Sequence, residues 1–415
     1  MKRGIIALLT VLVIIVAAAA VWSRGSIEPF RELAHKFKGS NPTVAGEPGV
    51  SASILPTPAT SETPVPTPKP TITPTETTIS LAAIGDVLLH NSVYEDAKVG
   101  DTFDFNPMFA RVKGDLTGTD ITFANSESIA GGKELGLSSY PQFNSPSEIA
   151  DALHNNGVDI VSMANNHTMD ARQAGILNAI KRWDSLGVAY VGANKDAADR
   201  ERMRILEVNG VSVAFLAYTY GTNGIPVPKD KPFLVNLLDK DRIPADIAEA
   251  RKAADVVVVS LHFGVEYLQE PNDDQVYWAQ LAADAGADLI LGHHPHVLQP
   301  VKWLDRKDGG KTLCFYSLGN FLAAQEQQYP WRQIGAIAKV DITKRVTEQG
   351  QTIEIDNVRM LPTYIKYKKW RNFQIIPLSE VTDAVLPGAE KFKATTAELL
   401  NRYGAGVKIL TEAEK

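Results

Sequence analysis

DIVSMANNHTMD, residues 159–170, is an apolar run (Ile160, Val161, Met163, Ala164) that stops at two amides and an imidazole, Asn165, Asn166 and His167. A short apolar run bounded by turn-forming residues reads as a buried strand, here one that delivers polar side chains to its C-terminal end. The arrangement recurs. TISLAAIGD (78–86) ends in Asp86, DITFANSE (120–127) carries Asn125 and Glu127, and VVVVSLHFG (256–264) carries His262. ADLILGHHPH (287–296) ends in His294 and His296, and TLCFYSLGN (312–320) ends in Asn320. VAYVGA (188–193) and VSVAFLAYTY (211–220) complete the set. Amphipathic stretches lie between several runs, such as SEIADALHNNG (147–157) and AGILNAIKRWDSLG (174–187), the latter closed by a helix stop at Gly187. Short buried strands alternating with helices predict an α/β domain. Residues 335–367 alternate apolar and polar positions over two runs and predict an antiparallel hairpin on the same domain. AEKFKATTAELLNRYG (389–404) predicts a C-terminal helix.

In α/β sheets, ligands bind in the crevice outside the carboxyl ends of the strands. Each polar residue alone has an ordinary explanation. Asp86 could hold a turn after Gly85, His262 could be a hydrogen-bonded core histidine, and Asn125 and Asn166 could be turn residues. HHPH could be a surface loop. Six runs that bring Asp, Glu, Asn and His to one edge are more than packing requires. Carboxylate, amide oxygen and imidazole together suit one or two divalent ions such as manganese, zinc or iron(II). A His-x-His pair on an extended segment puts both rings on one side, so His294 and His296 are expected to act together. His90 and His293 are second choices near this site, whereas His35 and His154 read as surface residues. Tyr267, Trp278, Tyr329 and Trp331 read as packing or loop aromatics.

Composition narrows the function. The chain has 415 residues, 44% hydrophobic and 22% charged, as expected of a largely globular protein. A net charge of −6 argues against nucleic acid as a partner. The single cysteine, Cys314, rules out an internal disulfide or a thiolate zinc site, and its apolar surroundings predict a buried thiol. At the N-terminus, Lys2 and Arg3 precede a run of roughly 19 apolar residues, long enough to cross a bilayer as a helix. The charges place the N-terminus in the cytoplasm and the remainder outside, on an uncleaved single-pass anchor in preference to a cleaved signal peptide. A juxtamembrane segment and a Pro/Thr/Ser-rich tether follow. The expected organisation is an anchor at 1–23, juxtamembrane segment and disordered linker at 24–77, the main domain at 78–385, and a C-terminal helix and tail at 386–415.

The motifs GDVLLH, FANSES, ANNHTMD, LHFGVEY, GHHPHVLQP and YSLGNF, in this order, resemble the CapA family of poly-gamma-glutamate capsule synthesis proteins, relatives of the calcineurin-like metallophosphoesterases. The resemblance covers roughly residues 78 to 325. It implies a four-layer α-β-β-α sandwich with a metal site at one edge. It also implies metal ligands at Asp86, Glu127, Asn166, His262, His294 and His296, with Asn125, His90 and Asn320 as additional candidates. His167 would be a general acid oriented by Asp170. Leu88 stands where the metallophosphoesterases carry the histidine of Asp-x-His, and Asn125 stands where they carry a bridging aspartate. The implied partners are the membrane, an anionic polymer such as poly-gamma-glutamate, and other membrane proteins of a synthesis and export complex. Two functional classes follow: an extracytoplasmic metal-dependent hydrolase acting on a phosphoester or on an amide bond of a polymer, or a non-catalytic polymer-binding component.

Overall fold

The computed structural model describes residues 73–411. The expected membrane anchor, and the juxtamembrane and linker segments up to residue 72, lie outside the described residues. Among the described residues no helix is long and apolar enough to cross a membrane.

The strands that build the domain are β1 (Thr75–Leu88), β2 (Ile121–Ser126), β3 (Ile160–Ser162), β4 (Ala189–Val191), β5 (Arg204–Val208), β6 (Val211–Thr219), β7 (Val256–His262) and β8 (Leu289–His293). They continue with β9 (Val301–Asp305), β10 (Lys311–Phe315), β11 (Asn320–Ala323), β12 (Ile334–Thr347), β13 (Gly350–Lys368), β14 (Arg371–Pro377) and β15 (Lys408–Ile409). The main helices are α1 (Glu148–Asn155), α2 (Arg172–Leu186), α3 (Arg242–Ala253), α4 (Asp273–Asp284) and α5 (Ala389–Asn401). One sheet runs β14-β13-β12-β1-β2-β3-β4, with β11 paired to β1 and β15 to β13. The other runs β9-β10-β8-β7-β6-β5. The centre of each sheet is parallel: β1-β2-β3-β4 in the first, and β6-β7-β8-β10 in the second. Antiparallel strands extend the first sheet beyond β1, as β12-β13-β14, and the second sheet at both edges, as β9 and β5.

Alternation along the strands sets the layers. Ile79, Leu81 and Ala83 of β1 share a core cluster with Phe123, Phe215, Val258, Leu291 and Phe315, drawn from both sheets. Ala82 and Ile84, on the other face of β1, pack with Ile149 and Leu153 of α1 and with Ile176, Ile180 and Trp183 of α2. Across the second sheet, Val257 and Val259 meet Ile243 and Ile247 of α3 and Ala279, Ala282 and Ala283 of α4. The two sheets therefore face each other, with helices against each outer surface. Local signals agree with this. The helix α2 stops at Gly187 with left-handed backbone (φ 72°). A capping box starts α4, in which Asn272 and Gln275 satisfy each other's backbone N–H.

The mixed α/β fold follows the expected alternation, but several boundaries differ. The first strand begins at Thr75, three residues before the expected domain start, because Thr75–Thr77 pair with Val346–Lys344 of β12. The C-terminal helix belongs to the same core: Leu399 and Leu400 of α5 lie in the intersheet cluster, and β15 joins β13. Asn320 does not end a strand. It is the first residue of β11, because the apolar run 312–320 breaks after Phe315 and the chain turns at Leu318 and Gly319 into a second sheet.

Candidate metal centre

The carboxyl ends of the central strands of both sheets meet at one place, and two glycines permit the approach. A Cβ on Gly85 would lie 2.0 Å from the Gly319 carbonyl oxygen, and one on Gly292 would lie 2.0 Å from that of Tyr316. With hydrogen there instead, Asp86 N–H donates to Gly319 O at 2.9 Å and Leu318 N–H to Gly292 O at 3.1 Å. Asp86 sits at an irregularity in β1, opposite Asn125 on one side and Asn320 on the other. The loop after β2 is tied back to β1, with Glu127 N–H and Ser128 N–H both donating to Val87 O. These constraints bring Asp86, Asn125, Glu127, His262, His293 and Asn320 together, each fully buried, with His294 and His296 almost so.

The stretch from β3 answers for its own polar residues. Asn165 is architectural: its Nδ2 donates to Ser126 O at 2.8 Å, and its backbone N–H donates to Thr168 Oγ1. Asn166 is turned to the centre, where its Oδ1 accepts from His262 Nε2 at 2.9 Å. His167 is 6% exposed, and its Nδ1 donates to Asp170 Oδ2 at 2.6 Å. The same carboxylate oxygen accepts from Phe143 N–H at 2.6 Å, and the Phe143 ring stands edge-on to His167 at 4.6 Å. The imidazole is thus held in one orientation, with Nδ1 committed and Nε2 left to carry or take a proton.

Asp86 accepts from Asn125 Nδ2 at 2.8 Å and from His296 Nδ1 at 3.0 Å, with His293 Nδ1 at 3.6 Å. Burial opposes its ionisation, but His293 and His296 hold its carboxyl well below the usual carboxylate range. Glu127 is the opposite case, pushed well above that range by burial. Its Oε1 lies 3.6 Å from His296 Nε2 and 3.7 Å from His262 Nε2, and neither of its oxygens has a hydrogen-bond partner. Burial depresses His262, and takes His294 down to about 3, so both rings are neutral and able to donate a lone pair. For His296 burial acts the same way but is outweighed by Glu127 and Asp86, which raise it to about 9. Potential ligand atoms of Glu127, His294 and His296 all lie within 4.8 Å of one another. Glu127, His262, His293, His294, Asn125 and Asn320 each keep a buried polar atom without a hydrogen-bond partner. A buried carboxylate with no donor is costly unless a cation compensates it. The donor set and its unsatisfied atoms therefore fit a divalent ion of the N/O-preferring kind.

The convergence of His294 and His296 has a different cause from the one expected. They do not lie on an extended segment; both have left-handed backbone, with φ 97° and 59°. The rings still approach, with centroids 5.9 Å apart. His90 is held by contacts of its own. Its Nδ1 contacts Leu88 O and Ala324 N, and its ring meets Phe143 edge-on at 5.2 Å. Asn320 donates through Nδ2 to His296 O and Arg332 O, which pins the histidine loop. His154 is exposed as expected, and Cys314 is fully buried. His293, a second choice in the sequence, belongs here and stacks on Phe123 beside Asp86. Two residues beyond the expected set join it. Tyr220 lies 4.8 Å from the His294 ring, and Asn223 Oδ1 accepts from Asn166 Nδ2 at 3.4 Å. Tyr220 closes the run 211–220, so the strand-end rule applied to that run would have found it.

Residues 80–325 match the family described as Bacterial capsule synthesis protein PGA_cap. The chain is 29% identical over 308 residues to the PGA biosynthesis protein CapA of Bacillus subtilis (strain 168), covering 73% of this chain and 78% of that one. It is 30% identical over 262 residues to the capsule biosynthesis protein CapA of Bacillus anthracis, covering 60% of each. Two nucleotidase structures overlay weakly. The NAD nucleotidase of Haemophilus influenzae has a TM-score of 0.42 at 12% identity, over 81% of this chain and 58% of that one. The 5'-nucleotidase precursor of Thermus thermophilus has a TM-score of 0.43 at 14% identity, over 78% and 59%. This chain thus spans under two thirds of either nucleotidase, and overlays at this level decide nothing about activity. The family match covers more than half of the chain and takes in every strand-end residue described above: the chain belongs to the bacterial capsule synthesis protein PGA_cap family, the family of the CapA proteins.

Proposed function

We propose that this chain is a membrane-anchored, extracytoplasmic protein of poly-gamma-glutamate capsule or related surface-polymer biosynthesis and export, with a divalent-metal centre in a metallophosphoesterase-like domain. Family membership supports the process, since two of its relatives carry the names PGA biosynthesis protein and capsule biosynthesis protein. The apolar N-terminal run supports the anchor. The observation that carries the metal centre is Glu127, fully buried, without a hydrogen-bond partner on either oxygen, and within ligand distance of His294 and His296.

Asp86, Glu127, Asn166, His262, His294 and His296 would hold the ion or ions, with Asn125 and Asn320 beside them. A bound divalent ion supplies Lewis acidity and lowers the pKa of a coordinated water. The protein supplies the rest. Asp86 and the Asn320 side chain fix His296, and Asn166 positions His262. Phe143 and Asp170 orient His167, whose Nε2 can deliver a proton to a leaving group, a role contributing roughly 10²- to 10⁴-fold. The substrate bond is a phosphoester or an amide of a gamma-linked polymer.

Elemental analysis of the purified full chain tests the centre. Stoichiometric metal in the parent, and its loss in a His262→Ala, His294→Ala double variant, is the expected result. No metal in the parent after incubation with manganese, zinc or iron(II) refutes it. Polymer production in cells carrying His167→Ala then separates the two classes. Loss of polymer with metal content retained marks a catalyst, and full production marks a non-catalytic polymer-binding component.

A further inference from the structure

The hairpin β13–β14 carries a feature that the metal centre does not use. Its tip, YKKWR (367–371), with Lys366 just before it, exposes Lys366, Lys368, Lys369, Trp370 and Arg371 in a chain whose net charge is −6. None of these cations has an ion-pair partner among the described residues. The tip is nevertheless firmly held. Trp370 stacks on Tyr367 (4.9 Å, 15°), Tyr367 stacks on the buried Phe373, and the Asp96 carboxylate accepts from the Asn372 and Phe373 N–H groups. Lys369 and Trp370 occupy the two turn positions with φ of 50° and 58°, a conformation usually given to Asn-Gly. A cation and an indole stand where turn chemistry would select neither. Lys369, Trp370 and Arg371 line a cavity of about 450 Å³ together with His90, Asn91 and Glu95. The two cations outnumber the one carboxylate there. His90, in the wall of this cavity, is one ring away from the candidate acid, because Phe143 packs against both His90 and His167.

We propose that this hairpin tip and cavity form a binding subsite for a polycarboxylate chain, which leads the polymer toward the metal centre. The proposal rests on the surface-polymer function argued above and deepens it by assigning the residues that recognise the polymer. Arg371 and the lysines match repeated carboxylates, Arg through a planar fork and Lys as a point charge. The face of Trp370 accepts the methylenes between successive carboxylates. A lipid surface is the weaker fit: the indole is stacked against Tyr367 rather than free to insert, and Lys369 and Arg371 border a concave cavity that His90 also lines.

The test measures binding of fluorescently labelled poly-gamma-glutamate to the full chain in zwitterionic detergent, with polyphosphate and phosphatidylglycerol vesicles as further probes. The comparison is with a Lys368→Gln, Lys369→Gln, Arg371→Gln variant and with Trp370→Ala. The expected result is salt-sensitive polyglutamate binding that weakens about tenfold or more in the triple variant and less in Trp370→Ala, with metal content unchanged in both. Equal affinity in parent and triple variant overturns the proposal. So does a tip that captures the vesicles or polyphosphate but not polyglutamate. Metal content read on the same samples keeps the two ideas separate: a metal-loaded parent that binds no polyglutamate overturns the subsite alone, whereas tip-dependent binding without metal supports the subsite and removes the metal centre.

Discussion

Gly85→Ala probes the contact on which the whole site depends. The added Cβ would meet three backbone atoms, Gly319 O at 2.0 Å, Leu318 O at 2.9 Å and Gly319 C at 3.0 Å. No side-chain rotation relieves such an overlap, so β1 and β11 must part by about an ångström or more to restore ordinary packing. That movement breaks the buried bond from Asp86 N–H to Gly319 O and the pairing of Asp86 with Asn320. Overpacking costs about 1–3 kcal/mol. The orphaned backbone groups add about 1–3 kcal/mol, for a total of about 2–6 kcal/mol. The assay is chemical denaturation of the full chain, with metal content measured on the same samples. Gly114→Ala is the control: it lies in the short helix Lys113–Thr117 with open space around its added Cβ, and should gain about 0.5–1 kcal/mol. A Gly85→Ala protein with the parent's denaturation midpoint and metal content refutes the claim that this glycine allows the strand ends to close around Asp86.

Three further outcomes are expected. Asp170→Ala leaves Phe143 N–H and His167 Nδ1 without their acceptor and should destabilise by about 1–3 kcal/mol, whereas Asp170→Asn retains an oxygen and should cost less, with metal content unchanged in both. Burial opposes ionisation of Asp255, but Lys344, Ser212 and Gln351 overcome it and hold the carboxyl at about 2 against a usual 3.8. Since the folded-state value is the lower one, its contribution of about 1–2 kcal/mol is complete above about pH 4 and fades toward pH 2, so the stability gap between parent and Asp255→Asn should close over that range. Cys314 is fully buried and its thiol is pushed up by burial, so a thiol reagent should leave the native chain unmodified and titrate one group after unfolding.

The parallel centre of both sheets was legible because buried strands such as Val256–His262 are continuous apolar runs, and little else in a sequence looks like that. The strands that escaped notice are the half-exposed ones. Arg204–Val208 and Val301–Asp305 are edge strands with charged residues, whose pairing comes from their neighbours rather than from their composition. The third strand of the terminal antiparallel unit, Arg371–Pro377, was hidden for a different reason. Its connection is Lys369–Trp370, which carries no Asn, Asp, Gly or Pro to announce a two-residue turn.

The site was legible as a list of residue types at strand ends, but its geometry was not. Alternation along a strand predicts that residues two apart share a side, and it pointed to His294 and His296 on an extended segment. The chain leaves β8 at His293, and both later histidines adopt left-handed backbone, which no residue pattern in HHPH encodes. That conformation is unfavourable for a non-glycine residue, so it must be imposed from outside the segment. The structure shows by what: Asn320 Nδ2 grips His296 O, Asp86 accepts from His294 N–H and His296 Nδ1, and Asn320 faces Asp86 across the β1–β11 pairing. The residues that shape the histidine loop lie more than twenty positions from it in one direction and more than two hundred in the other. They reach it where Gly85 and Gly292 let the Phe315–Gly319 segment run close against the strand ends of both sheets. Such a loop carries its strain for a reason, and holding two imidazoles against a buried, unpartnered Glu127 is a geometry that packing alone would have no cause to keep.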